Sequence, residues 1–144
     1  MKSNLPSTKR SLPIALIRAR ENTMGPIRSM LADTGLTEQQ WRVLRVLSEY
    51  GPQDATKVSE RACLLLPSLT RIVHTLNQKG LLTRRENLTD RRKQTLEITA
   101  AGQKILDDNL GETLEILASF KSKLGEENYE HLLDLLEKLT VSRI

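Results

Sequence analysis

Pro67-Ser68-Leu69-Thr70-Arg71-Ile72-Val73-His74-Thr75-Leu76-Asn77-Gln78-Lys79 is the stretch on which the reading of this chain turns. At about 100° per residue, Leu69, Ile72, Val73 and Leu76 gather on one side of a helix, and Arg71, His74 and Gln78 lie opposite. Ser68 and Thr75 border the polar face on one edge, Thr70 and Asn77 on the other. A helix that merely faces water usually carries Glu and Lys. This one carries hydroxyls, amides, an Arg and a His, and no acid. Such groups can hydrogen-bond base edges and phosphates, and a carboxylate among them would repel a polyanion. The pattern favours a recognition helix over a plain solvated surface helix.

The neighbouring segments fit that reading. Upstream, Thr37 and Gln40 form a capping box for a helix through Trp41, Leu44 and Leu47 to Tyr50, stopped by Gly51-Pro52. Asp54 opens a short helix to about Ala62. Downstream of Gly80, residues 81–85 and 94–98 read as two strands joined by residues 87–93, with Arg91, Arg92 and Lys93 at the tip. Inserted Arg suits the negative potential of a narrow minor groove. Asp90 either holds a neighbouring guanidinium in one rotamer or simply forms the turn. Arg84 and Arg85 alternate across a strand, so at most one points toward DNA. The order is that of a winged helix-turn-helix: a mainly α fold with a small β-hairpin wing.

The flanks are helical. Residues 1–10 read as a loose polar arm. Ser11 caps a helix with Pro13 in its first turn, and Gly25-Pro26 is expected to interrupt and kink it before Asp33. Thr99 caps a long fifth helix carrying Ile105, Leu106, Leu110, Leu114, Leu117 and Phe120, which Gly125 breaks. A sixth carries Tyr129, Leu132, Leu133, Leu136 and Leu139. These long helices hold more apolar residues than one core-facing stripe uses, as Ile116 beside Leu117 and Leu135 beside Leu136 show. Surplus apolar surface implies a partner.

Composition bounds the remaining classes. The chain has 144 residues, 38% hydrophobic, enough for a core without staples. Its single cysteine, Cys63, excludes an internal disulfide, and no Cys/His cluster has zinc spacing, so no metal or cofactor is expected and a reducing, cytoplasmic setting fits. No signal peptide is visible, and no stretch approaches the roughly 20 apolar residues of a membrane span. Residues 71–93 carry seven basic side chains against two acidic, whereas residues 100–144 carry five against nine. A basic middle beside an acidic tail suits a chain that touches a polyanion with one part only. No Ser/His/Asp order or phosphate loop supports catalysis, so an enzyme is not expected.

Leu36-Thr37-Glu38-Gln39-Gln40-Trp41, Pro67-Ser68-Leu69-Thr70-Arg71, Lys79-Gly80-Leu81-Leu82, Asp90-Arg91-Arg92 and Ile98-Thr99-x-x-Gly102 follow one another as in the MarR family of transcriptional regulators, which the chain resembles over residues 12–142. Shorter stretches, Ala19-Arg20-Glu21, Glu38 to Arg42 and Arg61 to Thr70, resemble the subgroup that represses homoprotocatechuate (4-hydroxyphenylacetate) degradation operons. The resemblance implies a single domain over 1–144: dimerisation helices at 11–35 and 100–144 around a DNA-binding lobe at 36–99. It also implies a homodimer on a pseudo-palindromic operator in double-stranded DNA, released by a small phenolic or aromatic carboxylic acid. The expected DNA contacts are Ser68, Thr70, Arg71, His74, Thr75, Gln78, Arg91, Arg92 and Lys93, with Asp90 orienting the wing.

Four residues are candidates for the acid. Arg18 and Arg20 lie in an otherwise apolar helix, where a guanidinium would pair with a carboxylate; the competing reading is a solvated Arg, or one paired with Glu21. Trp41 and Arg45, one turn apart, offer a ring face and a second cation; the competing reading of Trp41 is core. Cys63, among Ala62 and Leu64–Leu66, reads as inert packing rather than a redox sensor. A less specific architectural DNA-binding protein, a redox-sensing regulator and a helical adaptor are the alternatives to a ligand-responsive repressor.

Overall fold

The computed structural model describes residues 4–90 and 92–140. A 3-10 turn at Thr8–Arg10 leads into α1 (Leu12–Leu31), α2 (Glu38–Tyr50), β1 (Gln53–Asp54), α3 (Ala55–Arg61) and α4 (Leu66–Gln78). Then follow β2 (Leu82–Glu86), β3 (Gln94–Ile98), α5 (Ala100–Asp108), α6 (Leu110–Leu124) and α7 (Glu126–Thr140). The three strands pair antiparallel in the order β1-β3-β2. The fold is the expected one, mainly helical with a small sheet whose hairpin forms the wing.

Local chemistry sets the boundaries of the central elements. The Thr37 side chain accepts from the Gln40 backbone N–H, and the Gln40 side chain accepts from Thr37 N–H, which completes the capping box. Asp54 Oδ1 accepts from Lys57 N at 2.9 Å and starts α3. Leu44, Leu69 and Leu76 are fully buried, together with Val43, Leu47, Val58, Leu82 and Leu96, in one core shared by α2, α3, α4 and the sheet. Each such side chain contributes about 1.5–3 kcal/mol of burial. This core fixes the inner face of α4 and so leaves its polar face outward.

An ion pair between buried Glu38 and half-buried Arg42 holds the turn before α4. Glu38 is 6% exposed. Arg42 Nη2 donates to Glu38 Oε2 at 3.3 Å, and Arg42 Nη1 donates to the carbonyl of Ala62 at 2.8 Å. The α2 helix is thereby tied to the end of α3.

A second, smaller core holds Ile27, Met30, Leu31 and Trp41, with Leu106 and Ile116 packed against it. It joins α1 to α6 and, through Trp41, to α2. Beyond it the long helices leave apolar surface in water: Ile17 is 63% exposed, Leu114 55% and Leu139 58%. No described residue of α7 is buried.

Several expectations are corrected. The helix expected to run unbroken from Thr99 toward Gly125 divides at Asn109 (φ −104°, ψ 5°), whose side-chain amide donates to the Ile105 carbonyl. The expected interruption at Gly25-Pro26 is absent, and α1 continues through Pro26. Pro26 and Asn22, one turn back, are both exposed, so the bond that proline forfeits faces solvent. Ser11 stands at the N-cap, but its hydroxyl makes no capping bond. Cys63 is exposed at φ 56° rather than packed. Strand β1, two residues long, has no sequence period to reveal it.

Candidate nucleic-acid interface

Helix α4 starts without a side-chain cap, carries Pro67 in its first turn, and has no acid there. The N–H groups left free in that turn, to which Pro67 contributes none, therefore present a positive end with no acid to offset it. Arg71, His74 and Gln78 are exposed, while Ser68 and Thr75 are half-buried beside them. Thr70 Oγ1 donates to Leu66 O at 3.0 Å and Thr75 Oγ1 to Arg71 O at 3.2 Å. Each hydroxyl thus spends its proton on a carbonyl one turn back and keeps its oxygen lone pairs as acceptors.

The structure adds residues the sequence did not single out. A groove of about 310 Å³ runs between α4 and the N-terminus of α2, lined by Thr37, Gln39, Gln40, Ser68, Arg71 and Thr75. Arg71 Nη2 leans toward Ser68 Oγ at 3.5 Å within it. The capping box shows in the sequence that a helix begins at Thr37. That this helix end lies beside Arg71 is a matter of packing across about thirty residues.

The wing is ordered by its own polar groups. Asn87 N donates to Lys93 O at 3.1 Å, and Lys93 N to Asp90 O at 3.0 Å. Asp90 Oδ1 accepts from the backbone N–H of Arg92 at 3.0 Å and from its Nε at 3.3 Å. One carboxylate oxygen thus lies within the turn and against the Arg92 side chain at once. Arg92 and Lys93 are exposed, and Arg91 lies outside the described residues. Of the strand arginines, Arg85 is paired with Glu97 at 2.8 Å on the outer face of the hairpin. Arg84 sits opposite Leu96 and is exposed.

The four residues considered for a small acid do not come together in one chain. Trp41 and Arg45 do: the Arg45 guanidinium lies 5.2 Å from the Trp41 ring centroid. Both line a cavity of about 240 Å³ between α2 and α5–α6, with Gln103, Leu106, Asp107, Leu110 and Leu114. Ser48 Oγ donates to Gln103 Oε1 at 2.8 Å, and Gln103 Nε2 donates to Asp107 Oδ1 at 2.9 Å. Arg20 lines a different hollow with Arg28 and Glu38. It lies 3.9 Å from Glu21, whose carboxyl is held below its ordinary pKa, chiefly by a hydrogen bond from Arg28 at 3.1 Å. Arg18 Nη1 reaches the carbonyl of Thr8 at 3.5 Å.

No group of His, Cys, Asp and Glu among the described residues is placed to hold a metal ion, and none of their helices is long and apolar enough to cross a membrane.

An acid-free helix face held outward by its own core, with a cationic hairpin on the following sheet, defines a winged helix-turn-helix DNA-binding regulator. The chain belongs to the MarR family: residues 36–93 match the family model, and regulators related to it match over most of its length. It is 37% identical to the HTH-type transcriptional regulator FarR of Neisseria gonorrhoeae, over 90% of this chain and 88% of that one. It is 35% identical to the homoprotocatechuate degradative operon repressor of Escherichia coli, over 89% and 86%. Its fold superposes on the crystal structure of NadR in complex with 4-hydroxyphenylacetate with a TM-score of 0.81, at 36% identity over 95% of this chain and 97% of the other.

Proposed function

We propose that this transcriptional regulator is a homodimeric repressor that binds a pseudo-palindromic operator and is released by a small phenolic or aryl-acetic acid. The cavity that Trp41 and Arg45 line carries the ligand half of this reading. One wall is α2, part of the DNA-facing lobe, and the other is α5–α6, part of the helical stalk. The ligand's carboxylate pairs with Arg45, and its ring lies against Trp41 and the leucines of α5–α6. The relatives support this chemistry, one being a repressor of an aromatic-acid operon and another a complex with 4-hydroxyphenylacetate.

The exposed leucines of α1, α6 and α7 support the dimer. Two-fold symmetry would set two α4 helices one DNA turn apart, about 34 Å. The DNA contacts are Ser68, Thr70, Arg71, His74, Thr75 and Gln78 from α4, with Arg91, Arg92 and Lys93 from the wing. A ligand that wedges lobe from stalk favours a spacing that misses the operator, with a coupling of about 1–3 kcal/mol.

Trp41 is the chain's only tryptophan, so its fluorescence reports on that cavity directly. Titration with 4-hydroxyphenylacetate, benzoate and cinnamate, beside the same titration of a protein–operator complex, is the test. Saturable quenching together with operator release supports the reading. Neither at millimolar acid means that aromatic acids are not the effectors. A protein that binds bulk DNA as tightly as any selected operator is architectural instead.

A further inference from the structure

Leu88 stands at the tip of the β2–β3 hairpin and is 98% exposed, more than any other large apolar side chain among the described residues. A leucine on a floppy tip would call for no explanation. This tip is closed on both sides of Leu88. Asn87 Oδ1 accepts from Thr89 N at 2.9 Å, Thr89 Oγ1 at 2.7 Å and Asp90 N at 3.3 Å, and the Asn87–Lys93 backbone bond shuts the loop below them. The side chain is therefore held in water by a defined backbone, two residues before the carboxylate that orients Arg92.

We propose that Leu88 is an apolar contact to operator DNA, seated against the deoxyribose walls of the minor groove beside Arg92. The inference rests on the DNA-binding reading above. Charge selects the partner: Arg92 and Lys93 are exposed on the same tip, which disfavours a second copy of this loop and suits a polyanion. Minor-groove proteins combine cations with apolar side chains in this way, because the groove's walls are largely C–H surface. The two side chains then differ in thermodynamic signature. Arg92 releases counterions and its contribution falls with salt, whereas the contribution of Leu88 comes from excluding water and does not.

The probe is a duplex selected by the wild-type protein from a random-sequence pool. Leu88→Ala is expected to weaken binding roughly tenfold at every salt concentration, with an unchanged slope of log K against log salt. Leu88→Met restores most of the loss. In hydroxyl-radical footprints, minor-groove sugars protected by the wild type become reactive with Leu88→Ala. A Leu88→Ala protein that binds as tightly as the wild type, or whose loss is a change of slope rather than an offset, overturns the assignment. If the wild type selects no duplex at all, the DNA-binding reading fails, and the assignment of Leu88 with it.

Discussion

One oxygen of Asp90 receives two nitrogens of Arg92, the backbone N–H at 3.0 Å and the side-chain Nε at 3.3 Å, although the Arg92 side chain is itself 92% exposed. An exposed ion pair of this kind contributes at most about 1 kcal/mol to stability. Its consequence lies in aim. Arg92→Ala should weaken binding to most duplexes and reduce the salt slope by about one charge. Asp90→Ala frees the guanidinium to meet any phosphate, so the ratio of operator to bulk-DNA affinity should fall while bulk-DNA affinity does not. Competition binding in a salt series measures both, and an unchanged ratio would detach Asp90 from orientation of the wing.

Arg71 reaches from the exposed face of α4 into the groove it shares with Thr37 and Gln39. Arg71→Ala should cost about 1–3 kcal/mol of operator binding with no change in melting temperature, since the side chain is exposed and the helix stays anchored by Leu69, Val73 and Leu76. Gel-shift and thermal-melt measurements on the same preparation separate the two effects.

Gly102 is where α5 meets the wing. A Cβ there would strike the carbonyl oxygen of Leu81 and stand 2.9 Å from Ile98 Cγ1. Thr99 reinforces the junction: its hydroxyl donates to Gly80 O at 2.7 Å and accepts from Gly102 N at 3.2 Å. Gly102→Ala should therefore destabilise the protein by about 1–3 kcal/mol through overpacking. Urea unfolding tests this; an unchanged midpoint would mean that the backbone at Leu81, just before β2, gives way at little cost.

Leu135 and Leu139, one turn apart on α7, are 45% and 58% exposed. Replacing both by Glu should yield a monomer by sedimentation with helical circular dichroism intact. Operator affinity should drop sharply because the two half-site contacts are no longer joined. A double variant that remains dimeric would place the interface on other faces of the long helices.

Arg45→Gln should weaken binding of 4-hydroxyphenylacetate more than tenfold, read by Trp41 fluorescence, and should leave operator binding intact. Arg20→Ala, outside the cavity and beside Glu21, should leave ligand affinity near that of the wild type. The reverse result would move the acid to the hollow between Arg20 and Arg28.

What the sequence by itself determined is what neighbours three or four residues apart decide. The burial of Leu69, Val73 and Leu76 and the exposure of Arg71, His74 and Gln78 follow from helical period. The starts of α2, α3 and α5 follow from Thr37, Asp54 and Thr99, each bonded within its own first turn. Only the tertiary structure decided which of the cations share a site. It placed the N-terminus of α2 against Arg71, paired Arg85 with Glu97, buried Glu38 on Arg42, and separated Arg20 from the Trp41–Arg45 cavity. It also held Cys63 in water at a left-handed turn and paired a two-residue strand with β3. The physical reason is the same in each case. Periodicity and capping are local energies written in adjacent residues, whereas these contacts depend on how helices and strands pack, and many of the side chains involved can satisfy their charge equally well in solvent.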